Sequence, residues 1–362
     1  MSSSISCGIV GLPNVGKSTL FNVLTGSNIL AANYPFATIE PNTGTVPVPD
    51  ERLAKLAALY KTTRIIPATV TFVDIAGLVA GASKGEGLGN QFLGHIRSTN
   101  TIIQVVRAFD DSSVIHVDTI YDPAKDIDVI NTELVLADLQ TLSKRLPKLQ
   151  KEARADIKLQ PVLETYLQAN KLLDGGDPLW KYSNIDSESL ADLRLLTMKP
   201  VIYLFNLGED KLSDESLKHK LKQMVAPAEA LFVCAKLEDE LKDLDNIDAA
   251  ELLMSYGQTE SGLIQLINVA YQTLHLQSFL TAGEKEVRAW TIPRGTTAPQ
   301  AAGVIHGDFE RGFIAAEIVN YQDLLAAGSL SAAKRVGKVR TEGKSYIMQP
   351  DDVVEFRFNV SK

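Results

Sequence analysis

Short apolar runs, several closed by glycine, aspartate or asparagine, alternate with helical patterns along most of this chain. Residues 5–10, 69–73, 101–107, 201–205 and 231–236 are rich in β-branched and aromatic side chains and read as buried strands. Leu20, Phe21, Val23 and Leu24 mark a helix directly after the first run. From about residue 126 the period changes. Ile127, Ile130, Leu134, Leu139, Leu142, Leu146 and Leu149 recur at three- and four-residue steps with charges between them, and Val162, Leu163, Tyr166, Leu167 and Leu172 continue a second helical face. Gly175-Gly176-Asp177-Pro178 stops it. This pattern predicts two long helices inserted between sheet strands as a projecting hairpin, with Pro147 kinking or interrupting the first. From about residue 279 the composition is that of a small separate α+β unit, with strands expected at 287–292, 312–319 and 353–358.

The chemistry is concentrated where the first strand meets the first helix. Gly11-Leu-Pro-Asn14-Val15-Gly16-Lys17-Ser18 fits G-x-x-x-x-G-K-[ST] in the strand-before, helix-after setting that this phosphate loop requires. Its glycines let successive N–H groups face a phosphate chain, and the helix adds the positive end of its dipole. Lys17 then reaches the β- and γ-phosphates and the Ser18 hydroxyl serves Mg²⁺, so residues Asn14 to Thr19 form the candidate triphosphate cradle.

Downstream segments supply the remaining parts. Residues 33–44 hold two prolines and a glycine and read as a switch loop, in which Thr38 is the expected Mg²⁺ ligand and Thr43 its competitor. Asp74-Ile-Ala-Gly77 ends a strand, with Asp74 placed to hold the metal through water and the Gly77 N–H to meet the γ-phosphate. The next residue is Leu78, which has neither donor nor acceptor and cannot orient an attacking water. His116 lies just beyond a strand's carboxyl end, where it is either a water-positioning group or a loop histidine in solvent. Asn206-Leu207-Gly208-Glu209 occupies the slot that in GTPases reads Asn-Lys-x-Asp. Leucine replaces the base-covering lysine and the longer glutamate replaces the aspartate that accepts from guanine, which weakens the case for guanine. Cys234, Ala235 and Lys236, at the end of the last core strand, line the expected base pocket.

Composition narrows the setting. The 362 residues carry a net charge of −8, which argues against indiscriminate coating of nucleic acid, and no DNA partner is expected. Lys334, Arg335, Lys338, Arg340 and Lys344 nevertheless form a basic stretch, either a solvated face or a contact for RNA phosphates. The two cysteines, Cys7 and Cys234, have no metal-ligand spacing and suit a reducing cytoplasm. No run approaches the roughly 18 apolar residues of a membrane span, and the N-terminal region predicts no removable signal.

Taken together, the phosphate loop, Asn33-Tyr-Pro-Phe-Ala-Thr-Ile-Glu-Pro-Asn-Thr-Gly44, Asp74-Ile-Ala-Gly-Leu-Val79, Gly85-Glu-Gly-Leu-Gly-Asn-Gln-Phe92 and the Asn206-x-x-Glu209 slot closely resemble the YchF-type Obg-like ATPases. The resemblance runs essentially end to end, with Glu286-Val-Arg-Ala-Trp-Thr-Ile-Pro293 looking like part of a TGS domain. It implies a GTPase-type fold that hydrolyses ATP in preference to GTP and associates with ribosomes. It also implies that His116 handles the attacking water in place of the missing glutamine, and that Asn14 helps bind K⁺ as an activating cation.

The expected architecture is an α/β P-loop domain with a doubly wound sheet (1–121 and 198–278), a helical insertion (122–197) and a C-terminal β-grasp TGS domain (279–362). The expected activity is slow, Mg²⁺-dependent ATP hydrolysis by a monomeric, ribosome-associated switch in the cytoplasm. A guanine-specific translational GTPase and a nucleotide-gated adaptor with incidental hydrolysis are the alternatives.

Overall fold

The apolar runs that end in Gly11, Asp74 and Leu207 become strands of one sheet, and double-sided burial is why the first and last of them read as continuous rather than alternating. The computed structural model describes residues 5–26, 43–75, 88–109 and 122–359. Its first strands are β1 (Ser6–Gly11), β2 (Thr43–Pro47), β3 (Ile65–Ile66), β4 (Thr69–Asp74), β5 (Thr101–Ala108), β6 (Val201–Leu207) and β7 (Glu229–Val233). The chain continues through β8 (Leu276–Ala282), β9 (Val287–Pro293), β10 (Phe313–Asn320), β11 (Arg340–Glu342) and β12 (Asp352–Phe358).

The first sheet has the order β2-β4-β1-β5-β6-β7. The β1–β4, β1–β5, β5–β6 and β6–β7 pairs are all parallel, and β5 and β6 are buried at every residue. Because β1 is flanked on both sides by later strands, its loop opens at a topological switch point, where open α/β sheets place ligands. The segment 231–236 does not continue as one strand. β7 stops at Val233, Cys234 caps the helix Ala235–Leu241, and the Ala235 N–H is taken by the Asn206 side chain at 3.0 Å.

The helical insertion is present, but Pro147 does not interrupt it. One helix runs from Pro123 to Ala155, with the Asp122 side chain accepting from Ala124 N–H at its start, and packs on the helix Gln160–Asp174. Leu142, Leu149, Tyr166, Ala169 and Leu173 form their shared core. Proline costs the helix one backbone bond, and this apolar packing on either side of it offsets that loss. Asp138, fully buried, ties the long helix to the segment before β6. Its carboxylate accepts from Leu196 N–H at 2.8 Å, Thr197 N–H at 2.8 Å and the Thr197 hydroxyl at 2.7 Å.

Packing divides the chain into two compact units, Ile5–Thr45 with Thr71–Leu266 and Val46–Val70 with Ile267–Lys362. Composition alone had placed residues 46–70 and 267–278 with the nucleotide-binding part. They join the C-terminal region because β3 pairs in parallel with β9, and because Arg52 donates to Pro350 O at 2.6 Å and to Asp351 at 3.1 Å. The second unit carries a mixed sheet of order β11-β10-β12-β8-β9-β3. The β8–β9 hairpin is antiparallel, β12 lies parallel to β8, and β10 runs antiparallel to β12, the arrangement expected of a β-grasp. The helix Ala298–Ile305, opened by a Thr297–Gln300 capping box, contributes Ala298, Ala301 and Ala302 to a core with Phe279, Ile292 and Ile318. Within the basic stretch, Lys334 pairs with Glu317 at 2.8 Å and Lys338 with Asp323 at 3.1 Å, and Arg340 lies 5.8 Å from the centre of the Tyr346 ring.

Candidate functional site

The loop after β1 has the backbone that its sequence requires. Asn14 and Gly16 both lie at positive φ, +62° and +91°, and the Gly16 carbonyl accepts from Leu20 N–H at 3.0 Å to start the helix Lys17–Gly26. Glycine is needed at 16 on two counts, the left-handed backbone and space, because a Cβ there would collide with the Asn206 side-chain nitrogen. Val15 is 1 % exposed and anchors the loop from below, while Ser18 and Thr19 in the first helical turn are exposed.

Lys17 and Asp74 are brought together. Asp74, at the end of β4, sits in register with Ile9 of β1, so its carboxylate meets the Lys17 ammonium in a direct ion pair. Their side chains are only 10 % and 16 % exposed, which strengthens the attraction relative to a surface pair. Ser18 Oγ and the Asp74 carboxylate are the hard oxygen donors on this edge. No cluster of three His, Cys, Asp or Glu side chains forms among the described residues. One hydroxyl and one carboxylate are the sparse protein share that Mg²⁺ takes when phosphates and water complete its octahedron, so the donor set fits that ion.

The base slot is built around Asn206. Buried to 4 % exposure, it donates from Nδ2 to Val15 O at 3.0 Å and accepts at Oδ1 from Ala235 N–H at 3.0 Å. One side chain thereby joins the phosphate loop to the turn after β7. One amide hydrogen remains for a purine ring nitrogen, a feature that adenine and guanine share. Leu207 is 1 % exposed and belongs to the core. Glu209 is engaged at both oxygens, by Lys236 Nζ at 2.8 Å and by the Tyr256 hydroxyl at 3.1 Å. The Lys236 ammonium beside it is the main cause that holds its carboxyl below the ordinary glutamate range. Cys234 is buried, and that burial pushes its thiol up, so it acts as a wall of the turn rather than as a nucleophile.

Two partners were invisible to the sequence reading. Tyr256 lies 47 positions from Glu209, with no local pattern linking them. Phe109 follows β5 directly beside Gly208, its Cβ 3.8 Å from where a Cβ on that glycine would stand, and the Arg107 guanidinium stacks on its ring at 4.5 Å. An aromatic residue one step beyond a buried strand was the available signal. Thr38, Gly77, Leu78 and His116 lie outside the described residues.

Comparison with known proteins agrees with this geometry. Residues 6–153 match the model for 50S ribosome-binding GTPases, and residues 276–359 match the YchF-GTPase C-terminal model, described as a protein of unknown function. The "Ribosome-binding ATPase YchF" of Haemophilus influenzae is 48 % identical over 98 % of this chain and 99 % of its own length. The chain belongs to the YchF family. The Bacillus subtilis member is 46 % identical over 99 % of this chain and 100 % of its own. The Schizosaccharomyces pombe YchF GTPase structure superposes with a TM-score of 0.86 at 39 % identity, covering 99 % of this chain and 98 % of that one. A GTP-binding protein from Pyrococcus horikoshii shares the fold at a TM-score of 0.61 and 21 % identity. The architecture is thus the family's: a P-loop GTPase-type domain, a helical insertion and a C-terminal α+β domain.

Proposed function

We propose that this chain binds ATP in preference to GTP and hydrolyses its β–γ bond slowly, as a ribosome-associated switch in the cytoplasm. The observation that carries the base preference is the occupied Glu209 carboxylate. Guanine would have to share that carboxylate with Lys236 and Tyr256 to be read there, whereas adenine has no N1–H to offer. The ribosome association rests on full-length relatives that are named ribosome-binding ATPases.

In this reading the loop N–H groups and Lys17 neutralise phosphate charge, and Lys17 leaves Asp74 when the triphosphate enters. Ser18, Thr38 and Asp74 would hold Mg²⁺. When bound, the ion draws charge from the β- and γ-oxygens. Gly77 contacts the γ-phosphate, His116 orients water in place of the absent glutamine, and Asn14 contributes to a K⁺ site. Asn206 and Cys234 to Lys236 frame the base together with the backbone of Leu207, and Phe109 covers one face. The C-terminal β-grasp region is a TGS domain, and the protein works as a monomer.

Competition of unlabelled ATP and GTP against a fluorescent ATP analogue tests the specificity. A tenfold preference for ATP, about 1.4 kcal/mol, is expected, and a clear preference for GTP refutes the reading of Glu209. His116→Ala should retain ATP affinity and lose turnover; hydrolysis at the wild-type rate would remove the histidine from the mechanism.

A further inference from the structure

Behind the nucleotide site, within the same compact unit, a cavity of about 210 Å³ lies among the helices Lys17–Gly26, Ala235–Leu241, Asn246–Ser255 and Gly262–Thr273. Protein cores hold few voids larger than a water, and about 150 Å³ is enough to take up benzene. Val23, Leu241, Ala249, Leu253 and Leu263 give the cavity apolar walls, each 9 % exposed or less. Exposed Asn246, Ala250 and Thr259 mark its mouth. Glu238, 4 % exposed, is the buried charged side chain on the wall. Its carboxylate accepts from the Ser261 hydroxyl at 2.6 Å and from Gly262 N–H at 2.7 Å. A carboxylate has about four acceptor positions, more than these donors fill. Burial pushes the carboxyl above its ordinary range in spite of those bonds, so the charge lacks full compensation. Lys242, also in the lining, is paired with Asp239 at 2.6 Å.

The walls belong to elements that build the nucleotide site at their other ends. Val23 lies six residues, about 9 Å, along the helix that begins at Lys17 and Ser18. Leu241 lies equally far from Ala235 on the helix that opens at the base turn. Tyr256, which holds Glu209, directly follows the helix that supplies Ala249 and Leu253. We propose that this cavity is an effector site for a primary amine carrying a single ring or a branched alkyl chain, and that filling it tightens nucleotide binding. The ammonium donates to Glu238, and the hydrocarbon part packs on Val23, Leu253 and Leu263. A carboxylate on the wall repels acids, and apolar walls leave the hydroxyls of a sugar unpaired. A small apolar amine satisfies both, through a charge-assisted hydrogen bond and through burial of its hydrocarbon. A ligand that fixes three of the wall helices removes part of the ordering cost of binding nucleotide, which is positive coupling. The coupling rests on the nucleotide-binding reading of the phosphate loop; the amine site itself does not.

The test titrates benzylamine, benzyl alcohol and benzoate, similar in size and different in charge, into the full-length protein by calorimetry. Two variants accompany the wild type. Glu238→Gln keeps the shape, and can accept from Gly262 and donate to Ser261, but removes the charge. Ala250→Trp blocks the mouth from an exposed position and decides the matter if Glu238→Gln fails to fold. Urea midpoints confirm folding, and a fluorescent ADP analogue reads the nucleotide site of each protein. The expected result is saturable binding of benzylamine to the wild type, at least tenfold tighter than benzyl alcohol, with no binding of benzoate. Glu238→Gln should weaken benzylamine at least tenfold and Ala250→Trp should abolish its binding. Saturating benzylamine should lower the Kd for the ADP analogue at least about fivefold, and the analogue should tighten benzylamine by the same factor. Absence of benzylamine binding, or binding by both variants equal to the wild type, overturns the proposal. Equal affinity for benzyl alcohol overturns the amine as the ligand. Benzylamine held through Glu238 with unchanged nucleotide affinity keeps the site and removes its effector role. Wild type that holds benzylamine through Glu238 but binds no nucleotide strikes the reading of the phosphate loop and leaves the amine site standing.

Discussion

Replacing Asn206 with alanine should damage the nucleotide site without changing its preference for a base. The substitution removes two hydrogen bonds of 3.0 Å and leaves the Val15 carbonyl and the Ala235 amide, 1 % and 8 % exposed as residues, without the partner that joins them. An orphaned buried polar group costs about 1–3 kcal/mol, so a loss of about 3 kcal/mol in the stability of this unit is expected. Part of that reappears in binding, because the phosphate loop and the Ala235 turn must hold position together before a nucleotide can use both. A share of about 1.4–3 kcal/mol corresponds to a Kd raised about 10- to 150-fold. The remaining amide hydrogen addresses a ring nitrogen common to both purines, so ATP and GTP should lose affinity by the same factor. Calorimetric titration with each nucleotide, alongside urea denaturation, measures both quantities. An Asn206→Ala protein with wild-type affinity and an unchanged urea midpoint would refute the clamp, and a loss confined to one nucleotide would show that Asn206 selects the base.

Other consequences are more local. Asp138→Ala strips the Leu196 and Thr197 amides of their acceptor and should lower stability by about 2–4 kcal/mol, seen as a lower urea midpoint with ATP affinity retained. Glu238 is held above the ordinary value of 4.5 by burial, despite bonds from Ser261 and Gly262. A raised folded-state pKa favours the folded protein below 4.5, and that advantage fades as pH climbs through the folded value. Glu238→Gln should therefore gain on the wild type from pH 4.5 to 7.5 in parallel denaturation series. Phe109→Ala should raise the Kd for ATP several-fold and leave that for inorganic triphosphate unchanged, since only the base loses a cover.

What the sequence revealed and what it hid divide along the range of the interactions. The phosphate loop, the Asp74 strand end and the insertion were readable because each is encoded within about a dozen neighbouring residues: a glycine at +91°, a β-branched run, a 3.6-residue period. The place of residues 46–70 was not, since it depends on a two-residue strand and on an arginine that finds its carboxylate 299 positions away. Tyr256 on Glu209 and Asn206 on Val15 are similarly long-range. The extension of the 231–236 strand through Lys236 failed for a related reason, because a distant side-chain acceptor captures the Ala235 amide and starts a helix. At Pro147 local propensity argued for a kink or a break, and tertiary packing on either side keeps the helix from breaking.

The long insertion helix is loaded unevenly along its length. From Asp126 to Leu142 it presents ten buried residues, including the Asp138 anchor, whereas beyond that only Leu149 and Ala153 are buried. Mechanically it is a beam clamped over its first half, with about 20 Å of overhang braced by one neighbouring helix. A load at the tip meets the Asp138 clamp before it meets the sheet. Amide exchange should therefore be slow up to about residue 142 and faster beyond it, so that the tip can flex while the root stays fixed.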